Sequence, residues 1–68
     1  MNEHPFELTE VTGTSSSSIE DAIQSAVSRV GKTNREMRWF QVTEIRGAIH
    51  EGKASQWQVT VKIGSRME

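Results

Sequence analysis

Residues 17–31, SSIEDAIQSAVSRVG, decide the fold. Ile19, Ala22, Ile23, Ala26, Val27 and Val30 recur at helical spacing and draw one apolar stripe along an amphipathic helix. Glu20, Gln24, Ser28 and Arg29 fall on the side left to water. Ser17 and Glu20 have the S-x-x-E spacing of a capping box: the hydroxyl accepts from the Glu20 amide and the carboxylate returns to the Ser17 amide. Asp21 adds negative charge to the first turn, where the macrodipole favours it. Gly31 and Asn34 predict a helix end between residues 31 and 34.

On the N-terminal side, Phe6 to Thr12 reads as a short strand that Gly13 ends. Phe6 and Leu8 share a face, and Val11 breaks the alternation. Residues 1 to 5 read as a loose start closed by Pro5. On the C-terminal side, Met37 to Ile49 reads as a long strand of mixed phase. Phe40 and Val42 share one face, with Trp39 and Ile45 on the other, as expected of apolar contacts on both sides or of a bulge. Gly52 marks a turn. Trp57, Val59, Val61 and Ile63 then alternate with Gln56, Gln58, Thr60 and Lys62, so a third strand points one face into a core and Gln58 away from it.

The order is β-α-β-β, an α+β fold with a three-stranded antiparallel sheet. One helix covers one face of such a sheet. Trp39, Ile45 and Ile49 are expected on the other face with nothing over them, and an apolar patch of that kind marks an interaction surface.

Length and composition lead to the same conclusion. Residues 1–68 make one domain. A chain this short buries only about 60% of the surface its unfolded form exposes. Small folds compensate with disulfides, metals or association. Cysteine is absent, which removes disulfides, thiolate metal sites and thiol catalysis. His4 and His50 are too far apart in sequence to form a ligand pair by spacing. Association is the remaining route, and a homo-oligomer is expected. With a net charge of −1, the field that draws proteins onto nucleic acid is missing. No apolar run is long enough to span a bilayer, and the acidic start MNEHPFELTE does not read as a secretory signal. A cytoplasmic location is expected, with neither nucleic acid nor membrane as partner.

Ala26 to Thr33, AVSRVGKT, approaches the phosphate-binding G-x-x-x-x-G-K-[ST] loop. That loop must follow a strand and open a helix, whereas this stretch closes one and lends its apolar residues to the stripe. Arg29, Lys32, Arg35 and Arg38 form a basic cluster that reads either as an anion site or as a solvated helix end complementing the dipole; the second reading is favoured. No nucleophile stands beside a base and no carboxylate pair shares a predicted cleft, so the chain reads as a binding protein rather than an enzyme.

Trp39 is the most informative residue. Its phase opposes that of Phe40 and Val42, placing it away from the helix as an interface anchor or as a platform for a flat ligand. Gln58, also off the core face, offers an amide that both donates and accepts. Arg46 adds a cation on the same hairpin. An aromatic plane and an amide edge suit a planar heterocycle.

With these residues placed, the whole chain resembles the dodecins, small flavin-binding proteins. The resemblance rests on Val11-Thr12-Gly13-Thr14-Ser15, Trp39-Phe40-Gln41-Val42 with Glu44-Ile45-Arg46-Gly47, and Gln58-Val59-Thr60-Val61 with the ending Ile63-Gly64-Ser65-Arg66-Met67-Glu68. It implies a sheet wrapped around the helix in a hollow homododecamer that stores flavin, as FMN or riboflavin, and quenches its excited state. It also implies flavins stacked between tryptophans of neighbouring subunits. Trp39 then matches the stacking tryptophan, Gln58 the glutamine bonding the isoalloxazine edge, and Arg46 an arginine near the ligand. Some members also bind coenzyme A. The resemblance implies an aromatic residue at position 65 and an aliphatic one at 34, where Ser65 and Asn34 stand. The rival reading is a structural or adaptor oligomer whose exposed apolar sheet face binds only protein.

Overall fold

The structure, a computed structural model, describes residues 5–34 and 36–67. His4 and Arg35, named above, lie outside the described residues. The elements are β1 (Phe6–Ser15), α1 (Ile19–Gly31), β2 (Met37–His50) and β3 (Lys53–Arg66), in the expected β-α-β-β order. The strands form one antiparallel sheet ordered β1-β3-β2, so the last strand is central.

The cleanly alternating strand is the one that lies in the middle, and the reason is burial. Val59, Val61 and Ile63 join Ala22 and Ala26 in a core whose five members are at most 1% exposed. Ile19, Ile23, Val27 and Val30 pack around it, so the helical stripe lies against the sheet as its spacing requires. Small alanines bring the helix close to β1. There Gly13 does not end the strand but continues it: a β-carbon at this position would run into the Ala22 carbonyl and the Ala26 amide. The strand extends to Ser15, which pairs with Trp57.

The helix cap is also one residue later than the S-x-x-E spacing suggested. Ser18, not Ser17, is the N-cap, and its hydroxyl accepts from the Asp21 amide at 3.0 Å. Buried Ser15 takes up the turn before it. Its Oγ accepts from the Ser17 amide at 2.8 Å and donates to Asp21 Oδ2 at 2.7 Å. The acidic residue three positions after the cap is retained, but its carboxylate bonds a strand hydroxyl instead of the cap amide.

Coverage of the sheet is partial. α1 packs on β1 and β3 and barely touches β2. Its 13 residues span about 20 Å, against about 46 Å for the 14 residues of β3. The β2–β3 hairpin therefore projects beyond the helix, and the molecule measures 56 × 20 × 13 Å. At the tip, Glu51 (φ 51°) and Gly52 (φ 78°) both have positive φ, the signature of a type I′ turn.

Register corrects one face assignment. Trp39 pairs with Gly64, while Phe40 and Val42 oppose Ile63 and Val61 on the helix side. A register shift between Val42 and Glu44 leaves Thr43 as an extra residue, and Ile45 then opposes Val59. Ile45 is thus on the helix side with Phe40 and not on the face of Trp39, because alternation counted through a bulge inverts. Both remain about half exposed, since the helix barely touches β2.

Candidate functional site

The candidate site residues lie on the sheet face away from the helix. Residues on it follow from pairing: Phe6 and Leu8 on β1, Trp39, Glu44 and Arg46 on β2, and Gln58, Thr60, Lys62 and Gly64 on β3. Phe6 and Leu8, whose face the sequence left open, thus join Trp39. Threonine hydroxyls knit the middle of this face, with Thr12 and Thr60 Oγ1 atoms 2.7 Å apart.

Trp39 lies across Gly64. A β-carbon on Gly64 would occupy the position of the indole ring, so glycine is required for the ring to settle on the strand. Phe6 flanks it at 6.1 Å between ring centroids, with planes inclined at 56°. Even so seated, Trp39 remains 42% exposed, a level at which an indole resting on backbone still presents surface to a partner.

Arg46 and Gln58 meet further along the same face. Arg46 Nε donates to Gln58 Oε1 at 2.8 Å, and Gln58 Nε2 donates to Gln56 Oε1 at 2.9 Å. Gln56 was not singled out in the sequence; its signal is the Q-x-Q spacing, which puts two amides on one face of a strand. The structure joins Arg46 to Gln58 but does not bring Trp39 to them. Gly64, opposite Trp39, and Gln58, opposite Arg46, are six residues apart on β3, about 20 Å along the strand.

The described members of the basic cluster do not gather into one site. Arg38 pairs with Glu36 at 3.1 Å on the way into β2, while Arg29 and Lys32 edge a shallow groove with Thr12, Thr14, Ser25 and Ser28. Among the described residues, no group of three acidic, histidine or cysteine side chains is placed to hold a metal ion. No described helix is long and apolar enough to cross a membrane.

A small β-α-β-β subunit with one helix, a half-covered sheet and an indole seated on the open face defines a narrow structural class. The dodecin family model matches residues 6–68. Dodecin from Thermus thermophilus is 43% identical over 63 residues, covering 93% of this chain and 91% of that protein. The structure of dodecin from Streptomyces coelicolor superposes with a TM-score of 0.92 at 43% identity, covering 100% of this chain and 97% of that one. Dodecin from Streptomyces davaonensis gives 0.90 at 34% identity, with 98% of each chain covered. The chain belongs to the dodecin family.

Proposed function

We propose that residues 1–68 form a single flavin-binding domain that stores and sequesters FMN or riboflavin without catalysing a reaction. It does so as a cytoplasmic homododecamer. The observation that carries this reading is the exposed indole of Trp39, held against Gly64 on a sheet face its own helix does not cover. An electron-rich indole suits an electron-poor flat ring, and a flavin so held loses its fluorescence.

The polar residues fit the same ligand. Gln58 spends one lone pair on Arg46 and one N–H on Gln56, so its amide retains one acceptor and one donor on neighbouring atoms. That pair complements an imide edge, which presents N–H beside C=O. Because Trp39 and Gln58 of one chain stand about 20 Å apart along the strand, a three-ring ligand touching both draws them from different copies. Site formation and assembly are then one event, consistent with a core of five small and medium side chains.

Size-exclusion chromatography with detection at protein and flavin wavelengths tests this. The expected result is a yellow particle of twelve subunit masses, or a colourless one that takes up added riboflavin. An oligomer that takes up none overturns the flavin reading in favour of an adaptor. Coenzyme A is titrated in parallel as a second ligand.

A further inference from the structure

We infer that Gln56 is a positioning residue that, with Arg46, fixes which way the Gln58 amide faces its ligand; this rests on the flavin reading above. A guanidinium can only donate, so the Gln58 atom 2.8 Å from Arg46 Nε must be the amide oxygen. Its nitrogen is thereby turned toward Gln56, whose Oε1 accepts at 2.9 Å. One hydrogen bond sets the sense of an amide but leaves it free to swing about that bond. The second bond, at the other end of the group, fixes its plane. Donation runs in one direction, Arg46 to Gln58 to Gln56, so each bond polarises the next.

The geometry for this is supplied by the strands. Arg46 and Gln58 are paired across β2 and β3, and Gln56 follows at the two-residue spacing that returns to the same face. Gln58 is half-buried, so a wrongly turned amide would leave polar ligand atoms facing like polarity with little water to relieve them. Gln56 therefore acts through Gln58, and no contact with the flavin is required of it.

The assembled protein is titrated with riboflavin, reading quenching of flavin fluorescence, for wild type, Gln56→Leu, Gln56→Glu, Gln58→Leu and the Gln56→Leu/Gln58→Leu double variant. Loss of one supporting hydrogen bond should weaken binding about three- to tenfold in Gln56→Leu. Gln56→Glu keeps an oxygen acceptor for Gln58 Nε2 and should bind within about twofold of wild type. In the Gln58→Leu background, Gln56→Leu should cost nothing further, because the group it positions is gone. Riboflavin methylated on the imide nitrogen gives a readout that general loosening would not move. Wild type should prefer riboflavin over it, and that preference should shrink in Gln56→Leu. Unchanged affinity in Gln56→Leu, or an equal loss with and without Gln58, overturns the positioning role while leaving flavin binding intact. A wild type that binds no riboflavin overturns both.

Discussion

Asn34 donates through Nδ2 to Ser65 Oγ at 2.6 Å, joining the helix exit to the end of the central strand. The resemblance led us to expect an aliphatic residue at 34 and an aromatic one at 65, and the two residues that stand there are partners. A small hydroxyl at 65 leaves a polar atom in a place only 2% exposed, and the Asn34 amide reaches it. The same amide accepts from the Glu36 backbone at 2.9 Å, which turns the chain into β2. One polar contact thus stands where an aliphatic and an aromatic residue were expected.

The first prediction follows from that pairing. Ser65→Ala and Asn34→Ala should each destabilise the protein by about 1–2 kcal/mol, since each leaves a partner short of a hydrogen bond in a part-buried place. Their double variant should lose clearly less than the sum. Urea unfolding at one fixed protein concentration measures this, and additive losses would show that the contact carries no energy.

Trp39 and Trp57 should separate cleanly. Trp39→Ala should weaken riboflavin binding by about 2 kcal/mol or more and leave whatever still binds fluorescent. Trp57 is half-buried and packs against the core on the helix side. Trp57→Phe should lower the unfolding temperature and leave quenching intact. Control of quenching by Trp57 and not Trp39 would mean that the ligand lies on the helix side of the sheet.

What was legible depended on whether a regular period ran uninterrupted. The helix was readable because its stripe repeats at 3.6 residues, and β3 because a central strand buried on one face must alternate strictly. The placement of Trp39 and Gln58 off the core face followed from the same phase, and the structure puts both there, whereas Arg46, read only as a cation on the hairpin, reaches that face through the register shift at Thr43. Local choices among equivalents were not readable. Four consecutive serines offer the same cap chemistry in four frames, and only the strand's length, set by contact with the helix, selects Ser18. The bulge at Thr43, which carries Ile45 to the opposite face, shows in the sequence only as a mixed phase that apolar contacts on both sides of the strand would produce equally well. Gly13 reads as a breaker until the helix backbone above it is known.

The hairpin tip yields a third prediction. Glu51 holds φ of 51°, a left-handed conformation that β-carbon sterics disfavour and that asparagine or glycine adopts more readily. Its contact with His50 at 3.3 Å joins two largely exposed side chains and adds little. Glu51→Asn should therefore stabilise the protein by about 0.5–1 kcal/mol. The measurement is the urea midpoint, compared at equal protein concentration. A lower midpoint would mean that the Glu51 side chain contributes more through neighbouring subunits than its backbone costs.

The last prediction concerns assembly through the uncovered inner edge of β2. Phe40 and Ile45 stand on the helix side at 49% and 53% exposure, beyond the reach of their own helix. Burying such side chains against a neighbour gains about 1.5–3 kcal/mol each when the burial is complete, and proportionately less from a half-buried start. An aspartate there would have to be desolvated at the same contact, which costs several kcal/mol. Ile45→Asp should therefore shift the particle toward smaller species on light scattering, and unfolding should become steeply dependent on protein concentration. A charge on the fully exposed hairpin tip, such as Gly52→Asp, is no fair comparison, because it strains a positive-φ position. Gln24→Asp, on the exposed helix face and clear of the sheet, serves as the matched control and should assemble normally. If Ile45→Asp assembles as well as Gln24→Asp, the inner edge of β2 faces solvent in the particle, and subunits meet through another face.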